Sequence, residues 1–78
     1  MNYSTPNGQA VRSIRSILAD LHRSIEWLSA ETGIPLRTLK RRLLGESALT
    51  LDETVSIARV LGVRVESLIA AQAMKVAA

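Results

Sequence analysis

Glycines at 33, 45 and 62 cut this sequence into short blocks, and within each block the apolar residues recur at the steps of a helix. Val11, Ile14, Leu18 and Leu21, with Ile17 beside them, give a first helix from about Gln9, closed by His22 and Arg23. Ser24 is an N-cap candidate with Glu26 in the first turn behind it, where the helix dipole favours an acid. A short second helix follows, with Ile25, Leu28, Ser29 and Thr32 on one face and Gly33 at its end. Pro35 fits the first turn of a third helix, whose inner stripe is Leu39 and Leu43 and whose end is Gly45. Thr50 and Glu53 have the spacing of a capping box for a fourth helix with Leu51, Val55, Ala58 and Leu61 inward. Val65, Leu68, Ile69, Gln72 and Val76 mark a fifth. No alternating run bounded by turns suggests a strand, so the expected fold class is all-α: a five-helix domain in which helices 2 and 3 form a helix-turn-helix.

A chain of 78 residues is one domain with a thin core, since folding at this size buries only about 60% of the unfolded surface. Apolar residues make up 47%, yet Tyr3 and Trp27 are the only aromatics, so the core must be built from Leu, Ile, Val and Ala. With no cysteine, neither a disulfide framework nor a thiolate zinc site can hold the fold together. No apolar run reaches the roughly 20 residues that span a bilayer, and the N-terminus lacks the pattern of a signal peptide. We expect residues 1–8 to be a flexible tail, 9–70 the domain, and 71–78 an extension of the fifth helix.

Charge narrows the function. The net charge is only +3, but Arg37, Lys40, Arg41 and Arg42 lie between Glu31 and Glu46 with no acid among them. The rest of the chain holds six bases against seven acids. Basicity gathered on one helix is the footprint of a polyanion-binding element. An enzyme is not expected: one His, no Cys and no cluster of acids or nucleophiles leave no catalytic constellation to assemble. His22 has no second ligand nearby, so no metal or other cofactor is expected either.

The segment SIEWLSAETGIPLRTLKRRLLG carries the most specific signal, two short helices joined by a Gly-centred turn. Leu28, small Ser29, Gly33, Ile34, Leu39 and Gly45, followed by LTLDETVSIARVLGV, resemble the lambda-repressor/Cro-like (XRE) family of helix-turn-helix DNA-binding domains over about residues 11–68. The TLKRRLLGE ending followed by LTLDE is most similar to the actinobacterial and actinophage branch. Ser29 is small where two helices must cross closely, and Gly33 permits the positive φ of a turn only three or four residues long.

At 100° per residue, Leu39 and Leu43 inward place Arg41 directly outward and Arg37 about 40° from it. Arginine can bridge guanine O6 and N7 with two parallel hydrogen bonds in the major groove. Arg37 and Arg41 are therefore the candidate base readers, and the resemblance puts base contacts at the same early and middle positions. Thr38, Lys40 and Arg42, on the flanks, are candidate phosphate contacts, as is Ser24 at the second helix's N-terminus. Leu36 stands where such domains often carry a polar base contact, and its wheel position is the edge of the core. Ile25 stands where a phosphate-contacting Gln is common, and Arg42 with Leu43 inverts the usual apolar-then-acidic order. Trp27 lies about 140° from the centre of helix 2's apolar face, which suits packing on a flank or a protein contact rather than deep core.

The resemblance implies a transcriptional regulator of the Cro or immunity-repressor kind, of phage or prophage origin, acting in the bacterial cytoplasm. It would bind double-stranded DNA as a homodimer on a pseudo-palindromic site, and a complete chain this short would act by occupying DNA. Ile69, Gln72, Ala73 and Val76 are the expected dimer contact, with no membrane or small-molecule partner. The alternative is a protein-binding helical module, an antitoxin or anti-repressor partner, worked through Trp27 or the fifth helix. An excision or DNA-architecture factor ranks lower, because no β-wing is visible.

Overall fold

Side chains that satisfy backbone groups at helix ends set most of the boundaries in this chain. In the computed structural model residues 5–68 are described. Helix α1 runs Pro6–Leu21; the Thr5 hydroxyl accepts the Gly8 N–H at 3.0 Å, and Pro6 takes a first-turn position that needs no N–H. It ends on His22, whose φ of 56° lets its N–H reach the Ala19 carbonyl and that of Arg23 reach the Leu18 carbonyl. Helix α2, Ile25–Thr32, starts where the Ser24 hydroxyl accepts the Trp27 N–H at 3.0 Å and stops at Gly33, φ 79°. Helix α3 is Leu36–Leu43 with Pro35 as its cap. Helix α4, Leu51–Leu61, opens on a complete capping box: Thr50 Oγ1 accepts the Glu53 N–H, and Glu53 Oε1 accepts the Thr50 N–H. Residues 65–68 are helical again, and no strand occurs among the described residues.

The fold is all-helical, as expected, with three corrections to its detail. The first helix begins at Pro6, not Gln9, so residues 6–8 are helical with Thr5 as their cap, and residues 1–4 of the expected tail lie outside the described residues. Thr5 and Pro6 supply the local start, and a tertiary bond adds to it: Asn7 Oδ1 accepts the Leu49 N–H at 2.9 Å, tying the first turn of α1 to the α3–α4 connection. Pro35 precedes the third helix instead of opening it. In α4 the inward residues are Ile57 and Ala58, while Leu51 is 75% exposed, so the buried face is rotated by roughly 60° from the one expected. Leu51 is the first residue of that helix and projects past the core. Leu21, at the last turn of α1, is likewise exposed.

The core is aliphatic. Val11, Ile14 and Leu18 of α1 meet Leu28 of α2, Leu39 and Leu43 of α3, Ile57 and Ala58 of α4, and Leu68. Helix α3 packs against both α1 and α2, and α2 also packs against α4. The connection between α2 and α3 is bound from within: Ser29 Oγ donates to the Ile34 carbonyl at 2.6 Å, and Thr32 Oγ1 accepts the Ile34 N–H while donating to the Leu28 carbonyl. Ser29 thus contributes a hydrogen bond as well as small size. These bonds, together with buried Ile34, make α2, the turn and α3 one rigid piece.

Candidate nucleic-acid interface

Burying Leu39 and Leu43 completely turns the opposite side of α3 to solvent. Arg37 is exposed there and has neither a hydrogen bond nor an ion pair with any described residue. The Arg41 side chain is 61% exposed, with Nε 3.7 Å from Glu46 Oε1. Lys40 Nζ lies 4.0 Å from Glu26 Oε2 on α2, again with both side chains largely in solvent. Pairs this exposed are worth little and exchange readily for another partner. Thr38 is half-buried, and so is Leu36, in keeping with its expected place at the core edge.

Arg42 requires a correction. Its guanidinium is turned away from the outward face and clamped onto α4, with Nε 2.8 Å from Glu53 Oε1 and Nη2 3.3 Å from Glu53 Oε2. Nη1 donates to Ser47 Oγ at 2.5 Å. The two side chains are only 21% and 16% exposed. An arginine with three of its donors engaged in this way ties the last turn of α3 to the first turn of α4 and is not placed to reach a phosphate. A second arginine acts nearby: Arg15 of α1 sends Nη1 to the Leu43 carbonyl at 2.9 Å, at the C-terminal end of α3 where a cation complements the helix dipole. Sequence spacing held no sign of that contact.

Chain comparisons against family models, curated proteins and solved structures give no match.

The clamp gives a pH dependence. The Arg42 hydrogen bond holds the Glu53 carboxyl below its ordinary value, against an opposing effect of burial and with help from the Thr50 backbone. A carboxylate with a depressed folded-state pKa stabilises the fold above the unfolded value and loses that contribution as pH falls through the folded one. Stability should therefore decline as acid is added below about pH 4.3, the usual glutamate value. Glu53→Gln is expected to be less stable than wild type at pH 7 and to show a flatter decline between pH 5 and pH 2, read by urea denaturation at each pH. A variant curve parallel to wild type would detach Glu53 from the acid response.

Trp27 is half-buried and packs on the margin of the core, with the Arg23 guanidinium 5.1 Å from the centre of its ring. Ser24 is exposed beside it at the start of α2. The expected dimer residues Ile69, Gln72, Ala73 and Val76 lie outside the described residues. Among those described, no three metal-ligating side chains come together, and no helix is long and apolar enough to cross a membrane.

Proposed function

We propose that this chain is a sequence-specific double-stranded-DNA-binding regulator of transcription that reads the major groove with α3. What carries the reading is the outward face of that helix, where Arg37, Lys40 and Arg41 stand exposed over a fully buried Leu39–Leu43 stripe. A helix is about 10–12 Å wide with its side chains and the major groove about 12 Å, so α3 fits the groove without distortion of either. Eight residues span about 12 Å, enough to set two arginines one turn apart against successive base pairs.

Arg37 and Arg41 are the base readers in this proposal, and Lys40 contacts phosphate. Ser24 supports a second phosphate contact: its cap bond uses an oxygen lone pair and leaves the hydroxyl hydrogen to donate. Thr38 lies between these groups. Arg42 is withdrawn from the contact set, because its guanidinium is held by Glu53 and Ser47. Three cations per chain supply few contacts, which favours a homodimer on two half-sites about one DNA turn apart, roughly 34–36 Å. Repression by occupying the site, in the cytoplasm of a bacterial cell, is the form of regulation we propose.

Affinity for duplex DNA should fall steeply with salt, because each neutralised phosphate releases counterions. Lys40→Gln is expected to make the slope of log K against log salt shallower by about 1 per protomer, with little change in sequence preference. Fluorescence anisotropy with a labelled duplex at several salt concentrations reads this out. Duplex binding no tighter for wild type than for an Arg37→Gln/Arg41→Gln double variant would contradict the proposal.

A further inference from the structure

The turn that ends α3 delivers an acid to the side of Arg41. Gly45 takes a φ of 81°, its N–H donates to the Arg42 carbonyl, and the next N–H, that of Glu46, donates to the Arg41 carbonyl at 3.0 Å. The backbone of Glu46 is thereby fixed to the backbone of Arg41, and its carboxylate reaches Arg41 Nε at 3.7 Å. We propose that Glu46 is a positioning residue for base reading: once Arg41 enters the groove, the nearby carboxylate closes onto the Nε edge of its guanidinium so that the two Nη groups point end-on at the base. This rests on the DNA-reading function proposed above.

The chemistry of the guanidinium carries the argument. Its donors form a planar fork, and a carboxylate on Nε occupies one edge while leaving an Nη1–Nη2 pair free to bridge O6 and N7 of guanine. Without that carboxylate the plane can rotate, and single hydrogen bonds to other bases or to phosphate compete with the bidentate one. The negative charge also opposes phosphate, so it weakens binding to every duplex while sharpening the choice among them. Lys40 and Glu26 make the useful contrast. They form an ion pair of the same kind at 4.0 Å, but an ammonium group has no fork to orient.

The test compares wild type, Glu46→Gln and Glu26→Gln in selection of bound sequences from a random duplex pool, with Arg41→Ala marking the base pair that Arg41 reads. Both substitutions remove one negative charge from a side chain more than half exposed, so both variants should fold and melt as wild type does. Glu46→Gln is expected to lose roughly five- to tenfold of the guanine preference at the Arg41 position, the loss of a bidentate contact reduced to a single one, with other positions unchanged. Glu26→Gln is expected to bind all duplexes somewhat more tightly and to keep every preference. If the two variants behave alike at that position, Glu46 acts only through its charge and the inference fails while the function stands. If wild type selects no motif at all, the function and the inference fall together.

Discussion

Leu39→Ala is expected to lower the unfolding free energy by about 2–5 kcal/mol, the cost of the lost transfer energy plus the cavity left behind. Leu39 has no exposed surface and sits among Leu28, Leu43 and the α1 residues at the centre of the core. A domain of this length has a total stability of only about 4–12 kcal/mol, so the variant loses a large share of it. Among the described residues no aromatic side chain is fully buried, and Trp27 packs only on the margin of the core. Duplex binding should fall with stability, because Leu39 is one of only two fully buried side chains that fix α3 against the other helices. Urea denaturation with a circular-dichroism readout measures the first effect. A loss under about 1 kcal/mol would mean that α3 is not anchored through this residue, since buried Leu→Ala changes cost at least twice that.

Arg41→Ala should do the opposite: leave stability alone and degrade recognition. Its side chain is mostly in solvent and its one ion partner among the described residues is a surface acid, so truncation should shift unfolding by less than about 0.5 kcal/mol. Discrimination at one base pair of each half-site should fall by about 1–3 kcal/mol, the worth of a bidentate arginine–guanine pair. Competition between duplexes that differ at that base pair measures the loss directly. Arg42→Ala supplies the contrast, because its guanidinium is bound to Glu53 and Ser47. That variant should unfold more easily and keep its base preferences. If Arg42→Ala alters base choice while Arg41→Ala does not, the outward face has been assigned to the wrong residues.

Most of the helix ends were legible in the sequence because their chemistry is local. Ser24, Gly33, Gly62 and the Thr50–Glu53 pair each act within a few residues of themselves, and all four cap as their types and spacing suggest. The start of α1 was read three residues late, because Pro6, Asn7 and Gly8 carry no apolar period, although Thr5 and Pro6 have the chemistry of a cap and a first turn. The Asn7–Leu49 hydrogen bond, which ties that turn to the α3–α4 connection, is recorded by no local pattern. The outward placement of Arg37 and Arg41 followed from the helix period alone. The fate of Arg42 did not, because a flanking position leaves a long side chain free to turn either way. Glu53, eleven residues on and brought close by the α3–α4 connection, decides it. The rotated face of α4 has a similar origin: Leu51 fits the period, but it stands at the helix tip, on the open rim of a groove with Ala10, Leu49 and Val65, and stays 75% exposed.

Selection of bound sequences from a random duplex pool by the wild-type chain is the most direct test of the central claim. The expected result is a defined motif repeated with two-fold symmetry, its halves about one helical turn apart, in which guanines dominate the positions sensitive to Arg37 and Arg41. Weak, salt-sensitive binding with no enriched sequence would contradict it and leave α3 a basic surface that does not read bases.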